Sequence, residues 1–176
     1  ATLRRFEIFL KQEQALRGFD YIFFFNANAQ FMQPVTREML LPRAEKGERL
    51  LVVQHPSFYA KPNYEFTYDR NPRSTACIPY GLGKYYVCGG VNGGTTPAFL
   101  ELCRTLDKRI RRDLQHNVIA LWNDESQINR LTVAVFTGAS GNPVNALREF
   151  TGDDIKAATS GTGTVSYTHL TLPTTE

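Results

Sequence analysis

The segment FDYIFFFNANAQF, residues 19–31, decides the class of fold, because it joins a continuous apolar run to two polar amides. An apolar run of this length predicts a buried strand, which we expect to end at Asn26. Further strands are expected at RLLVVQHP, residues 49–56, and at VIALW, residues 118–122. Because helical patterns alternate with these strands, we predict an α/β domain.

Two helical patterns separate the predicted strands. Residues 3–17 carry apolar side chains at helical spacing and are followed by Gly18, a common residue at the end of a helix. Residues 95–117 predict the clearest helix, with Thr96 as N-cap and Pro97 at the first helical position. Its apolar stripe comprises Phe99, Leu102, Cys103, Leu106, Ile110 and Leu114.

The remaining segments contain many turn-forming residues. Residues 57–75 predict an ordered loop with little regular structure, whereas TACIPYG, residues 75–81, and KYYVCGGVNGG, residues 84–94, predict short strand-like pieces. Residues 156–176 are rich in Thr, Ser and Gly and predict disorder. The end of this segment resembles a translated sequencing adapter rather than a gene product.

The composition is typical of a soluble globular protein, with 42% hydrophobic and 21% charged residues among 176. The net charge of +3 argues against a dedicated nucleic-acid-binding protein. Cys77, Cys88 and Cys103 lack the spacing of a structural zinc site, which indicates reduced thiols in a cytoplasmic setting. No apolar stretch approaches the ~20 residues of a membrane span.

Asn26 and Asn28 stand at the carboxyl end of the first predicted strand. One interpretation is a plain turn, since asparagine tolerates turn geometry. The other is that both side chains point toward a sugar nucleotide, because α/β sheets bind ligands at the carboxyl ends of their strands. Amides are poor ligands for hard divalent cations, so such a site is expected to work without Mg²⁺ or Mn²⁺.

The segment LWNDESQINR, residues 121–130, also allows two interpretations. Asn123 or Asp124 can cap a helix that begins near Glu125, with both acids at its positive end. Alternatively, Glu125 faces the reacting carbon of a sugar and stabilises or attacks an oxocarbenium-like state. Trp122 then offers an apolar face to a sugar ring, although a lone tryptophan at a strand end more often belongs to the core.

Four motifs in order resemble glycosyltransferase family 6, the family of the blood-group A and B transferases and α-1,3-galactosyltransferase. They are FFFNANAQF, then HPSFY, then the run from Phe66 to Gly94, and finally ALWNDESQIN. The resemblance covers about residues 4–130. The Asn-x-Asn form of the first motif resembles the bacterial members, which need no metal, whereas vertebrate members carry Asp-x-Asp.

The resemblance implies a GT-A type, Rossmann-like fold and a cytoplasmic, bacterial enzyme, with association to a membrane surface left open. It implies retaining transfer of N-acetylgalactosamine or galactose from a UDP-sugar to the 3-hydroxyl of an acceptor galactoside, fucosylated in the blood-group branch. No cofactor or divalent metal and no nucleic-acid partner is expected. The alternative is a carbohydrate-binding remnant of the same fold without catalysis.

The site residues follow from the same resemblance. Glu125 matches the catalytic glutamate, either as nucleophile or as stabiliser of the oxocarbenium ion. The implied donor-binding residues are Asn26, Asn28, Cys88 and Gly90, and the implied acceptor-binding residues are His55, Thr67, Trp122 and Asp124. A glycine at position 90 leaves room for an acetamido group, which favours N-acetylgalactosamine as the donor sugar.

Three departures from the family pattern qualify these expectations. Asn123 replaces the histidine that precedes Asp-Glu-Ser in the family. The part of the family domain that holds much of the uridine site is expected before residue 1, so that residues 1–130 form a partial catalytic domain. Residues 131–176 do not resemble the family's closing segment and are predicted to be a disordered tail or a product of sequence assembly. Arg70 and Arg73 are the candidate cations for the diphosphate within the matching motifs.

Overall fold

A four-stranded sheet forms the centre of the computed structural model, which describes residues 2–29, 31, 34–59, 61–136 and 147–150. Its spatial order is β1-β3-β2-β4. The strands are β1 (Tyr21–Phe25), β2 (Leu50–Gln54), β3 (Val87–Thr95) and β4 (Leu147–Phe150). The helices are α1 (Arg5–Lys11), α2 (Glu13–Leu16), α3 (Arg37–Leu40), α4 (Thr96–Gln115) and α5 (Asn123–Phe136).

The sheet is mixed. β3 pairs antiparallel with both β1 and β2, and Phe25 lies opposite Val91. Among the described strands, the one parallel pair is β2 with β4. The predicted mixture of helices and strands is therefore confirmed, while the Rossmann-like arrangement remains an expectation.

The largest core cluster lies between one face of the sheet and helices α1, α4 and α5. The predicted stripe of α4 is buried from Phe99 to Ile110, and it meets Phe6 of α1 and Ile128 of α5. Leu114 departs from the prediction because it is 37% exposed, one residue before α4 ends. Burial of these side chains is the main term that holds the helices on the sheet, at about 25 cal/mol per Å² of apolar surface.

Residues 118–122, predicted as a strand, form an irregular connection that ends in a turn. The backbone N–H of Val118 binds the carbonyl of Asp113 at 2.9 Å. The N–H of Leu121 binds the carboxylate of Asp69 at 3.0 Å. These donors are satisfied by the end of α4 and by a loop, so the apolar run is partly buried without joining the sheet.

Three further predictions need correction. Residues 75–81 form turns and irregular backbone rather than a strand, because their N–H groups bind acceptors outside the sheet, as that of Ile78 binds the carbonyl of Asp69 at 2.8 Å. Thr96 is the first residue of α4, and Thr95 takes the N-cap position without a side-chain cap. The helix predicted at 3–17 is interrupted at Gln12, which separates α1 from α2.

The prediction of disorder for residues 156–176 lies outside the described residues. Within 131–176, the structure describes the end of α5 and the strand β4. Over the described ranges, no helix combines the length and the apolar content required to cross a bilayer. All three cysteines are free thiols.

Candidate active site

A cleft of about 450 Å³ opens where β1 and β2 end, beside the middle of β3 and the first turn of α5. It brings together seven of the nine predicted site residues, drawn from all four sequence motifs. They are Asn26, His55, Thr67, Gly90, Trp122, Asp124 and Glu125.

The other two predicted residues, Asn28 and Cys88, do not line this cleft. Asn28 is exposed in the turn after β1. Cys88 packs with Leu51 and Val53 on the opposite face of the sheet, where burial raises the pKa of its thiol to about 11. A thiol in this state is protonated at neutral pH and unreactive.

Both carboxylate oxygens of Glu125 are held by hydrogen-bond donors. The hydroxyl of Tyr86 donates to Oε1 at 2.9 Å, and the backbone N–H of Gly89 donates to Oε2 at 2.7 Å. A Cβ at position 89 would lie 3.0 Å from the Cβ of Glu125, so glycine permits this close approach of strand and helix. The carboxylate therefore has a defined orientation at the cleft.

Asp124 lines the cleft next to Glu125 and forms a buried ion pair. Its Oδ2 lies 2.9 Å from Nη2 of Arg5, and Nη1 of Arg5 donates to the carbonyl of Gly89 at 2.9 Å. The guanidinium also lies over the ring of Phe24, 4.0 Å from its centroid. Burial raises the pKa of Asp124 to about 6, and the positive charge of Arg5 opposes this rise.

Asn129 fixes α5 against β3 one helical turn beyond Glu125. Its side chain accepts from the N–H of Val87 at 2.9 Å and donates to the carbonyl of Val87 at 2.8 Å. The residue is fully buried, so these bonds are shielded from water. Two residues further along β3, Gly89 is thereby kept in place to contact Glu125.

His55 follows β2 and presents one ring nitrogen to the cleft. Its Nδ1 accepts from the N–H of Ser57 at 3.2 Å, so the neutral ring carries its proton on Nε2. Burial lowers the pKa of His55, while the negative charge of Glu125 raises it. The lowered pKa favours a neutral ring at pH 7, with an Nε2–H that can donate to a sugar oxygen.

Asn26 and Gly90 meet across the β1–β3 pair. The N–H of Asn26 donates to the carbonyl of Gly90 at 2.9 Å. A Cβ at position 90 would lie 3.0 Å from Nδ2 of Asn26, so the side chain of Asn26 occupies the space that glycine leaves. Two of the four residues predicted to bind the donor, Asn26 and Gly90, therefore contact each other.

α5 begins at Asn123, two residues before the start near Glu125 that the capping interpretation predicted, and both acids stand in its first turn. Trp122 is half exposed, and its backbone N–H donates to Oγ of Ser126 at 3.0 Å. Asn123 has a φ of 51°, in the left-handed region that asparagine tolerates better than most residues. The role of this segment toward a sugar stays a prediction.

Arg70 and Arg73, the candidate cations for the diphosphate, bind backbone carbonyls and do not line the cleft. The guanidinium of Arg70 lies 4.2 Å from the ring centroid of Tyr80 and donates to the carbonyl of Ile78, and Arg73 donates to the carbonyl of His116 at 3.2 Å. In the part of the chain that the structure describes, no Lys or Arg side chain lines the cleft. Arg5 lies behind its wall, where its charge is paired with Asp124.

Sequence analysis did not single out Tyr86, Gly89 or Arg5. Tyr86 and Gly89 stand within KYYVCGGVNGG, and Arg5 stands within the first helical pattern. Their positions gave no signal of a role, because each contact with Asp124 or Glu125 depends on how β3, α1 and α5 pack.

The sequence model of glycosyltransferase family 6 matches residues 2–137. Human globoside alpha-1,3-N-acetylgalactosaminyltransferase 1 is 32% identical over 131 residues, which is 73% of this chain and 36% of the relative. The O-antigen biosynthesis glycosyltransferase WbnI of Escherichia coli is 31% identical over 128 residues, 73% of this chain and 53% of the relative. Rat histo-blood group ABO system transferase 1 is 36% identical over 76 residues, 43% of this chain and 22% of the relative. The chain thus spans roughly a fifth to a half of the length of these curated relatives.

Proposed function

This chain belongs to glycosyltransferase family 6, and from that membership we propose that it forms the catalytic part of a retaining hexosyltransferase. The complete protein would move N-acetylgalactosamine or galactose from a UDP-sugar to the 3-hydroxyl of an acceptor galactoside. The names of the similar human and rat proteins, an N-acetylgalactosaminyltransferase and a blood-group transferase, support this class of reaction. We further propose that the complete domain has the GT-A fold.

The observation that carries the proposal is that two hydrogen bonds fix the orientation of the Glu125 carboxylate. With one donor on each oxygen and a position on the cleft wall, Glu125 is oriented before any sugar binds. Such a preorganised negative charge can stabilise an oxocarbenium-like state or form a covalent intermediate with it. Preorganisation matters because no reorientation is then needed as charge develops.

The other cleft residues fit the two substrates. Trp122 offers an exposed ring face to an acceptor sugar, and His55 offers its Nε2–H, next to Thr67. Asp124 shares the same wall and can accept hydrogen bonds from sugar hydroxyls. We assign Asn26 and Gly90 to the donor sugar, since they share one side of the cleft.

The asparagines fit a divalent metal poorly. Asn26 lines the cleft but Asn28 is exposed, and both supply amide oxygens rather than the carboxylates that Mg²⁺ prefers. We therefore propose that transfer is metal-independent. Charge on the UDP leaving group must then be offset by protein groups outside the cleft walls described above.

The first test is sugar transfer by the full-length gene product in the presence of EDTA. We expect UDP-N-acetylgalactosamine or UDP-galactose to be consumed, with product formed at an unchanged rate after chelation. Activity that vanishes with EDTA and returns with Mn²⁺ would show that transfer depends on metal. Acceptor binding with neither UDP binding nor transfer would favour the alternative, a carbohydrate-binding remnant.

The second test is Glu125→Gln. The amide keeps the size of the side chain but removes the negative charge, so we expect kcat to fall by about 10²–10⁴-fold with the fold intact. Glu101→Gln is the matched control, because Glu101 forms an ion pair with Arg104 on α4, outside the cleft lining. Near-normal turnover of Glu125→Gln would remove Glu125 from the catalytic role.

A further inference from the structure

Two predicted site residues form hydrogen bonds with Tyr86, which no motif singles out. Its hydroxyl donates to Oε1 of Glu125 at 2.9 Å, and its carbonyl accepts from the N–H of His55 at 2.7 Å. We propose that Tyr86 is the positioning residue of this site, whose hydroxyl sets the orientation of Glu125. This inference rests on the proposed function.

Aromatic neighbours pack around the ring of Tyr86 and restrict its orientation. It is 1% exposed, and it stacks on Tyr68 with ring centroids 5.4 Å apart and an interplanar angle of 22°. Phe58 lies against it at 4.4 Å between centroids, and Phe66 at 6.0 Å. Because packing holds the ring, the hydroxyl reaches Glu125 without a further loss of side-chain entropy.

The direction of the hydrogen bond is also defined. Burial, and next the negative charge of Glu125, raise the pKa of Tyr86 well above its ordinary value, so the phenol stays protonated. An ionised carboxylate can only accept, so the Tyr86 hydroxyl is the donor. Together with the N–H of Gly89, it gives each oxygen of Glu125 one donor and leaves further lone pairs for a sugar.

Loss of the hydroxyl therefore has a consequence beyond packing. Oε1 of Glu125 loses its donor, so the carboxylate is held only by the Gly89 N–H and can rotate. A misoriented carboxylate stabilises the oxocarbenium-like state less well, which lowers the rate of transfer.

The test compares Tyr86→Phe with Tyr68→Phe in the full-length gene product. Both changes remove one hydroxyl from the same aromatic cluster, but the Tyr68 hydroxyl donates to the carbonyl of Tyr85 instead of Glu125. For Tyr86→Phe we expect kcat to fall about 10–100-fold while KM for the acceptor changes less than about threefold. For Tyr68→Phe we expect both constants to stay within about threefold.

The split between kcat and KM separates positioning from a structural defect. Misorientation of Glu125 should lower kcat at a nearly unchanged KM, whereas a disturbed cleft should raise KM for the acceptor as well. A fall in kcat of the same size in Tyr68→Phe, or a rise in KM that accounts for the loss, would assign Tyr86 a packing role and overturn the proposal.

Crystal structures of the wild type, Tyr86→Phe and Tyr68→Phe give a readout that needs no activity and keeps this inference separate from the proposed function. We expect the Glu125 carboxylate to leave its wild-type orientation in Tyr86→Phe and to keep it in Tyr68→Phe. An unchanged carboxylate in Tyr86→Phe would overturn the positioning role. If the wild type transfers no sugar, the proposed function fails, while this comparison still decides the role of Tyr86.

Discussion

At the scale of single residues, the contact between Asn26 and Gly90 bears on the choice of donor sugar. A Cβ at position 90 would approach Nδ2 of Asn26 to 3.0 Å, a distance that requires the amide to shift by a few tenths of an ångström. A methyl group there has two possible effects, a direct clash with a donor acetamido group or displacement of Asn26. The geometry favours displacement of Asn26 as part of the effect.

A double-mutant cycle distinguishes these effects. We expect Gly90→Ala to lower kcat/KM for UDP-N-acetylgalactosamine relative to UDP-galactose by about tenfold, and by less than about threefold when Asn26→Ala is present. The measurement is the ratio of kcat/KM values for the two donors in the wild type, both single variants and the double variant. A tenfold loss that persists in the Asn26→Ala background would indicate a direct clash with the sugar.

At the scale of elements, Arg5 and Asp124 join α1 to α5 through a buried ion pair. Two opposing effects act on Asp124, since burial favours its neutral form and Arg5 favours its charged form. Burial is the larger effect, so the pKa rises from its ordinary value of 3.8 to about 6. At pH 7 the carboxylate is still mostly ionised and paired.

This pKa predicts the pH dependence of stability. Between about pH 4 and pH 6 the folded protein binds more protons at position 124 than the unfolded chain, so this group's contribution to stability falls as pH rises. Relative to Asp124→Asn, the wild type should therefore lose free energy of unfolding from pH 4 to pH 6 and change little above pH 7. Urea unfolding of both proteins at each pH measures the difference, and an increase over this window would mean that Arg5 outweighs burial.

At the scale of the whole molecule, Asp113 connects the loop at 69–78 to α4 and α5. Its carboxylate accepts from the Ser74 hydroxyl at 3.0 Å, the Thr75 N–H at 2.8 Å and Nε2 of Gln127 at 3.0 Å. Asp113 is buried, so these donors have no ready access to water. The loop carries Asp69, which in turn holds Leu121 just before the cleft residues of α5.

Replacement of Asp113 by alanine should destabilise the protein by about 3–5 kcal/mol, because three donors, two of them on buried residues, lose their acceptor. Asp107→Ala on the same helix is the control, since Asp107 forms an i,i+4 ion pair with the exposed Arg111, and such pairs contribute about 0.3–0.5 kcal/mol. Urea denaturation of both variants measures the two losses. Similar small losses would show that the loop is held by other contacts.

Much of the secondary structure could be predicted from the sequence. The apolar run before Asn26 forms β1, and the stripe from Phe99 to Ile110 is buried as periodicity predicts, because local spacing determines which side chains share a face. The strand predicted at 118–122 was wrong, because a short apolar segment does not show whether a neighbouring strand is present to pair with it. Its N–H groups instead bind Asp113 and Asp69.

The sequence by itself determined the family, the main helices and the polar residues that gather at the cleft, because these depend on residue types and local order. Tertiary structure alone decided that Tyr86 and Gly89 hold Glu125, 39 and 36 residues away, and that Arg5 pairs with Asp124. It also decided that Cys88 faces away from the cleft. The physical reason is that the register of β3 against α5 and the docking of α1 follow from packing of the whole core, which no local pattern specifies.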